Sequence, residues 1–194
     1  MLKKIVVIGP ESTGKSSLCE ELAQHFDTLW CPEFAREYLL TNGMDYDFDN
    51  LLTIARGQLA LEDEYALLVN KSFDQPTKEK PGTHLPAGQA GAPLLFIDTD
   101  MYVIKVWEEF VFGKSHSWVI DQIVERKYDC YLLCNVDLPW VKDELREYPD
   151  LETREKLYHI YKDIMINQSV PWVDISGDYD ARLTKAITAV KQFM

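Results

Sequence analysis

Residues 6–18 read VVIGPESTGKSSL: an apolar run, then two glycines five positions apart, closed by Lys15 and Ser16. Gly9, four residues, Gly14, Lys15 and Ser16 satisfy the Walker A spacing of a phosphate-binding loop. The flanks that such a loop needs are both present, a β-type run before it and a helical pattern after it. Glycines let the backbone wrap with its N–H groups pointing inward, and the following helix adds partial positive charge at its N-terminus. The loop residues Gly9, Glu11, Ser12, Thr13, Gly14, Lys15, Ser16 and Ser17 are therefore expected to hold a nucleotide triphosphate. Lys15 should reach the β- and γ-phosphates, and the Ser16 hydroxyl should ligate Mg²⁺.

Outward from this loop, short β-branched and aromatic runs alternate with longer stretches of helical period, the signature of βαβ units around a parallel sheet. Five strands are expected, at Lys4–Ile8, Thr28–Cys31, Leu94–Ile97, Cys130–Cys134 and Trp172–Ile175. Their compact apolar character predicts burial on both faces, with helices covering each. Leu18, Leu22 and Phe26 recur every four residues and predict an amphipathic helix after the loop. Phe48, Leu52, Ala55 and Leu59 mark a longer one running to about Asn70. Further helices are expected from about Met101 to Phe112, Glu152 to Asn167 and Ala181 to Phe193. Residues 74–93, DQPTKEKPGTHLPAGQAGAP, are dense in proline and glycine and lack apolar period, so a mobile insertion is expected there. It reads as a passive loop, with an active-site lid as the alternative.

The whole chain narrows the partners. Its 194 residues fit one domain able to bury a core without staples. With 46% apolar and 27% charged residues, composition is that of an ordinary soluble protein, and no apolar run approaches a membrane span. The first strand follows Met1 so closely that no leader peptide is expected, and a cytoplasmic location follows. Twenty basic against thirty-two acidic side chains leave a net charge of −12, which repels polyanions and argues against nucleic acid as a partner. Four cysteines without a CxxC and four scattered histidines predict neither a disulfide framework nor a local metal cluster.

A phosphate loop specifies nucleotide and leaves the reaction open. LLFIDTD, residues 94–100, supplies the expected strand-end carboxylate of a Walker B strand, with Asp98 as the Mg²⁺ ligand. Asp100 reads equally as a second functional carboxylate and as a helix N-cap. Guanine switches carry DxxG and NKxD; here DTDM follows the third strand and NKSF lacks the aspartate. A hexameric remodelling ATPase would need a helical lid domain for which the chain is too short. A small-molecule kinase needs a carboxylate near the acceptor hydroxyl, an acceptor pocket and arginines on a closing lid. CPEFAREYL, residues 31–39, offers Glu33 as the base and Arg36 to orient the acceptor, a salt-bridged helix start being the other reading. NVDLPWVKDELREYPDLETREKL, residues 135–157, reads as a lid at about 137–156: two helical arms about a proline hinge, carrying Arg146 and Arg154. The rigid fork of arginine suits that task, although solvated surface arginine accounts for the same pattern.

Together GPESTGKSSL, PEFAREYL, ARGQ, LLFIDTD, DLPWVKDELR and ISGDYDARL resemble the ribosylnicotinamide kinase domain of bacterial NadR-type proteins, within the P-loop, AAA-type ATP-binding class. The likeness spans the chain except residues 74–93. It implies an adenylate-kinase-like α/β fold, a parallel five-stranded sheet with helices on both faces. It also implies ATP- and Mg²⁺-dependent phosphorylation of nicotinamide riboside to the mononucleotide, a step of NAD biosynthesis, with a kinase for another nucleoside or a nucleotide-dependent regulatory ATPase as the alternatives. By the same resemblance Trp140 or Tyr38 stacks on the pyridinium, Gln58 bonds the ribose, and residues 176–182 seat adenine. Two departures stand out: no HxGH motif is present, so the chain makes at most the mononucleotide, and Glu144 stands where such lids commonly have glycine.

Overall fold

A computed structural model describes residues 1–74 and 92–193. Twelve elements run β1 (Lys3–Ile8), α1 (Lys15–His25), β2 (Leu29–Cys31), α2 (Phe34–Asn42), α3 (Phe48–Asp74), β3 (Leu94–Asp98), α4 (Met101–Phe112), α5 (Ser117–Glu125), β4 (Cys130–Cys134), α6 (Leu151–Asn167), β5 (Trp172–Ile175) and α7 (Tyr179–Lys191). The five strands form one parallel sheet of order β2-β3-β1-β4-β5. All five expected strands are present, within a residue at each end.

Alternation along β1 divides the core. Ile5 and Val7 face the layer of α1 and α7, packing with Leu18, Leu22 and Val190; Val6 and Ile8 face Val106, Leu157 and Tyr161 of α4 and α6. All four β1 side chains have no exposed surface, the condition under which a parallel strand loses its polar alternation. Cutting Leu22 to alanine would cost about 2–5 kcal/mol, the usual range for a fully buried leucine. A third cluster, with Leu51, Ile54 and Ile104, joins α2, α3, α4 and α5 beyond the β2 edge.

Two local features set the angle of α2. Gly57 lies against the Phe34 ring, and a Cβ there would overlap its carbon atoms. Gln58, buried beside it, accepts the Phe34 N–H at 2.7 Å and donates to the Pro32 and Asp98 carbonyls at 3.3 Å each. The amide thus clamps the β2–α2 turn to the end of β3.

Three expectations change. Helix α5 was absent from the expected set; its nine residues are too short a run for period to stand out. Helix α7 starts at Tyr179, two residues before the expected Ala181, because Asp178 caps it by accepting the Ala181 N–H at 2.9 Å. The lid has only one helical arm, α6, capped by Asp150; residues 135–150 are irregular, with Pro139 and Pro149 limiting helix at either end. The expected insertion at 74–93 lies, apart from its first and last residues, outside the described residues.

Candidate active site

The phosphate loop joins β1 to α1 and sits above the carboxyl end of the sheet. Gly9 has φ +141°, and a Cβ there would lie 2.7 Å from the Cys134 carbonyl oxygen, so the loop presses directly on β4. Gly14 caps α1 in the left-handed conformation at φ 77° and offers no side-chain partner to the first N–H groups of the helix. Those orphan donors and the helix dipole converge where an anion would sit. Thr13, buried, bonds the Pro10 carbonyl at 2.7 Å, and the Lys15 ammonium crosses the loop to the same oxygen at 3.0 Å.

Asp98 ends β3 beside this loop and has no exposed surface. Its Oδ2 accepts the Ser16 hydroxyl at 2.5 Å. Burial, and after it the neighbouring Glu33 carboxylate, push Asp98 up to about 6, against the Lys15 ammonium and the Ser16 bond, which pull it down. Hydroxyl and carboxylate oxygens suit a hard cation, and Mg²⁺ characteristically takes only one or two protein carboxylates. Ser16 and Asp98 therefore fit that ion, and among the described residues no larger group of metal-ligating side chains competes. Asp100 is an N-cap: Oδ1 accepts from Tyr102 N at 3.0 Å and Val103 N at 3.4 Å, Oδ2 from the Tyr131 hydroxyl at 2.9 Å. Burial raises it to about 7.

A cleft of about 320 Å³ opens from the loop. Lys15, Glu33, Arg36, Asp98 and Arg146 all line it. Glu33 is the N-cap residue of α2, and its Oε1 accepts the Thr99 hydroxyl at 3.3 Å. Thr99 adopts φ 76°, a strained backbone between the two carboxylates of β3 and α4. Aromatic side chains also line it, Trp107 and Phe110 from α4 and Tyr148 from the 135–150 segment, with the Phe110 and Tyr148 rings edge to face at 5.3 Å. Trp107 and Phe110 were missed in the sequence because α4 carries apolar residues on nearly every face, so a pocket wall reads as core; Tyr148 lies in an irregular segment with no period to mark it. Trp107 and Phe110 at i, i+3 beside the Walker B strand were the available signal.

The other expected residues stand elsewhere. Tyr38 packs against Phe34 in the α2–α3 cluster, Trp140 buries its indole N–H without a partner, and Gln58 spends its amide on backbone, so none of the three borders the cleft. Arg154 is buried under the lid, donating to the Leu138 carbonyl at 3.3 Å with its Nε unpartnered. Desolvation lowers its pKa.

The lid is fastened from outside its own segment. Glu11 accepts the Glu147 and Tyr148 N–H groups at 3.0 and 2.5 Å, and Ser12 accepts that of Val141 at 3.0 Å. Arg36 grips both oxygens of Asp143 at 3.3 and 3.0 Å, and the Tyr46 hydroxyl meets Glu147 at 2.9 Å. Two loop residues expected to hold phosphate thus also hold the lid.

Against known proteins, the chain is 24% identical over its full length to the trifunctional NAD biosynthesis/regulator protein NadR of Salmonella typhimurium (strain LT2), covering 43% of it. The same identity and coverage hold for the namesake of Escherichia coli (strain K12). The chain spans less than half the length of these curated relatives. Among solved structures it is similar to a NadR protein in complex with NR, at 21% identity and TM-score 0.68, covering 98% of this chain and 49% of that one. The thymidylate kinase of Ehrlichia chaffeensis, at 13% identity and TM-score 0.64, covers 98% of both chains and shares the fold. No helix among the described residues is long and apolar enough to cross a membrane. The profile of the AAA domain family matches residues 4–182, and with the loop, sheet order and strand-end carboxylate in place, the chain belongs to that family as a P-loop ATP-binding domain.

Proposed function

We propose that this protein is an ATP- and Mg²⁺-dependent small-molecule kinase whose acceptor is nicotinamide riboside, with the mononucleotide as product. The observation that carries the reading is one cleft lined by a phosphate loop, two carboxylates and the aromatic side chains Trp107, Phe110 and Tyr148. A motor or switch has no use for the last of these. The likeness to a NadR protein in complex with NR supports the acceptor, as does the chemistry: a pyridinium cation is attracted to aromatic faces. Trp107, Phe110 and Tyr148 border the cleft and take over the stacking expected of Trp140 or Tyr38.

Lys15 and the loop N–H groups would hold the β- and γ-phosphates, and Ser16 and Asp98 would hold the metal. When bound, Mg²⁺ supplies charge neutralisation of the phosphate oxygens. Glu33 accepts the proton of the attacking hydroxyl, its position kept by Thr99. Arg146 spreads charge off the transferring group from the lid side, and Arg154, with an unpartnered Nε, stands behind it. The lid excludes water, which protects the triphosphate from hydrolysis.

The thymidylate kinase likeness keeps a second reading in view, transfer to another nucleoside or nucleotide within the same site. ADP release measured over nicotinamide riboside and the common nucleosides separates them. Turnover highest with nicotinamide riboside is expected; turnover confined to the other nucleosides overturns the acceptor.

A further inference from the structure

Beside the phosphate loop and outside the cleft lining lies a residue the phosphoryl transfer above does not use, the last of the 176–182 segment that the resemblance gives to adenine. Arg182, on α7, is 3% exposed. Its Nη1 donates to the Thr13 carbonyl at 2.7 Å, its Nη2 to the Asn135 carbonyl at 2.8 Å and its Nε to the Gly177 carbonyl at 2.8 Å. Nη2 also meets the Asp137 carboxylate, whose other oxygen accepts the Gly177 N–H at 2.6 Å. One guanidinium therefore ties together the turn after β1, the end of β4, the turn before α7 and the root of the lid.

The bond to Thr13 has a directional consequence. In a trans peptide the carbonyl and the next N–H point in opposite directions. A Thr13 carbonyl drawn back toward Arg182 turns the Gly14 N–H forward, into the loop. Gly14 holds its left-handed φ of 77° with Leu138 of the lid root and Tyr179 of α7 packed behind it. Left to itself, a glycine-flanked peptide flips readily, since glycine takes either sign of φ at little cost. A charge-assisted bond to a buried planar fork is the means of preventing that.

We propose that Arg182 is a positioning residue of the phosphate site, presetting the Gly14 N–H for a phosphate before nucleotide arrives and joining the loop to the lid root through Asp137. The proposal rests on the nucleotide-binding reading of the loop and not on the acceptor. Mg–ADP binding by calorimetry tests it, since ADP engages the loop with no acceptor present. Arg182→Gln keeps a donor and much of the volume, and should weaken Mg–ADP by about tenfold or more, the scale of one charge-assisted hydrogen bond. Arg182→Lys, with its charge but no fork, should fall between the two. Asp137→Asn, which keeps an acceptor for the Gly177 N–H, should weaken Mg–ADP less than Arg182→Gln does. Because a buried arginine also supports the fold, amide exchange in unliganded Arg182→Lys is the second readout. Residues 13–16 should exchange faster while β1 and β3 stay protected, and saturating Mg–ADP should abolish the difference from wild type. A lowered melting temperature with unchanged Mg–ADP affinity in the folded fraction overturns the proposal alone. Wild-type protein that binds no Mg–ADP removes the nucleotide reading and this proposal with it.

Discussion

The phosphate loop and the lid face each other across one cleft and are built in opposite ways. The loop is pressed onto the end of β4, with Thr13 and the adjoining Asp98 buried, and its turns are set by Gly9 against the Cys134 backbone and Gly14 against the Leu138 and Tyr179 side chains. The lid has no regular structure over residues 135–150 and is held by hydrogen bonds, largely exposed, to Glu11, Ser12, Arg36 and Tyr46. On the proposed function, a site that binds a charged tail benefits from donors that need no rearrangement, whereas a cover that admits and releases two molecules needs fastenings worth little each. The difference teaches where rigidity and mobility are placed.

The contrast can be broken or sharpened by substitution. The largest effect is expected at the loop: Lys15→Ala should lower kcat by on the order of 10³-fold or more, the scale of losing a cation on a transferring phosphoryl group, with little change in melting temperature. A severe loss of stability would show that the lysine belongs to the framework. Arg146→Ala should cost kcat by a similar order, about 10³-fold, if it serves as lid arginines do. Arg154→Ala is expected to lose activity and stability together, because its side chain is buried under the lid. Steady-state rates beside melting curves separate the two arginines.

Next in size is the aromatic wall. Trp107→Ala should raise KM for the acceptor about tenfold, the equivalent of an aromatic or cation–π contact, and leave KM for ATP alone. Equal changes in both would assign Trp107 to packing.

Protonation gives opposite signs to function and stability at Asp98. Its folded pKa, about 6, lies above the ordinary 3.8, so between those values the native state binds more protons than the unfolded chain. This carboxyl therefore stabilises the unliganded fold as pH falls through about 6 and costs stability as pH rises. Turnover should move the other way, falling toward acid pH, where protons compete with Mg²⁺ for the carboxylate that the proposed function assigns to the metal. Unliganded Asp98→Asn should be more stable than wild type near pH 8, and that advantage should shrink near pH 5; a pH-independent difference between the two would contradict the burial argument.

The smallest effect is expected at the outer fastening. Asp143→Ala removes an exposed ion pair with Arg36 and should cost no more than about 1 kcal/mol of stability. It should also quicken proteolysis within the lid segment; unchanged cleavage would mean that Glu11, Ser12 and Tyr46 hold the segment without it.

Legibility in the sequence followed the same division. The loop, the Walker B strand and the flanking helices were readable because each combines fixed spacing with a clear period, as in Gly9-x₄-Gly14-Lys15-Ser16 and the fourfold spacing of Leu18, Leu22 and Phe26. The lid was misread as two helical arms because Trp140, Leu145 and Arg146 have acceptable helix propensity, while what holds the segment is a set of long-range bonds to residues more than a hundred positions away. Gln58 shows the same limit. Its amide serves the backbone of Phe34, Pro32 and Asp98, which only the folded chain brings together. The cleft aromatics escaped because local period cannot distinguish a wall facing a pocket from one facing a core.

The central claim is that the outermost phosphoryl group leaves ATP for a small alcohol held in this cleft. Incubation with ATP labelled in the γ-phosphate, magnesium and nicotinamide riboside, followed by mass analysis, tests it most directly. The label is expected in the mononucleotide, one equivalent for each ADP formed. Label recovered only as inorganic phosphate, with the riboside unchanged, would contradict the account and leave a nucleotide hydrolase in its place.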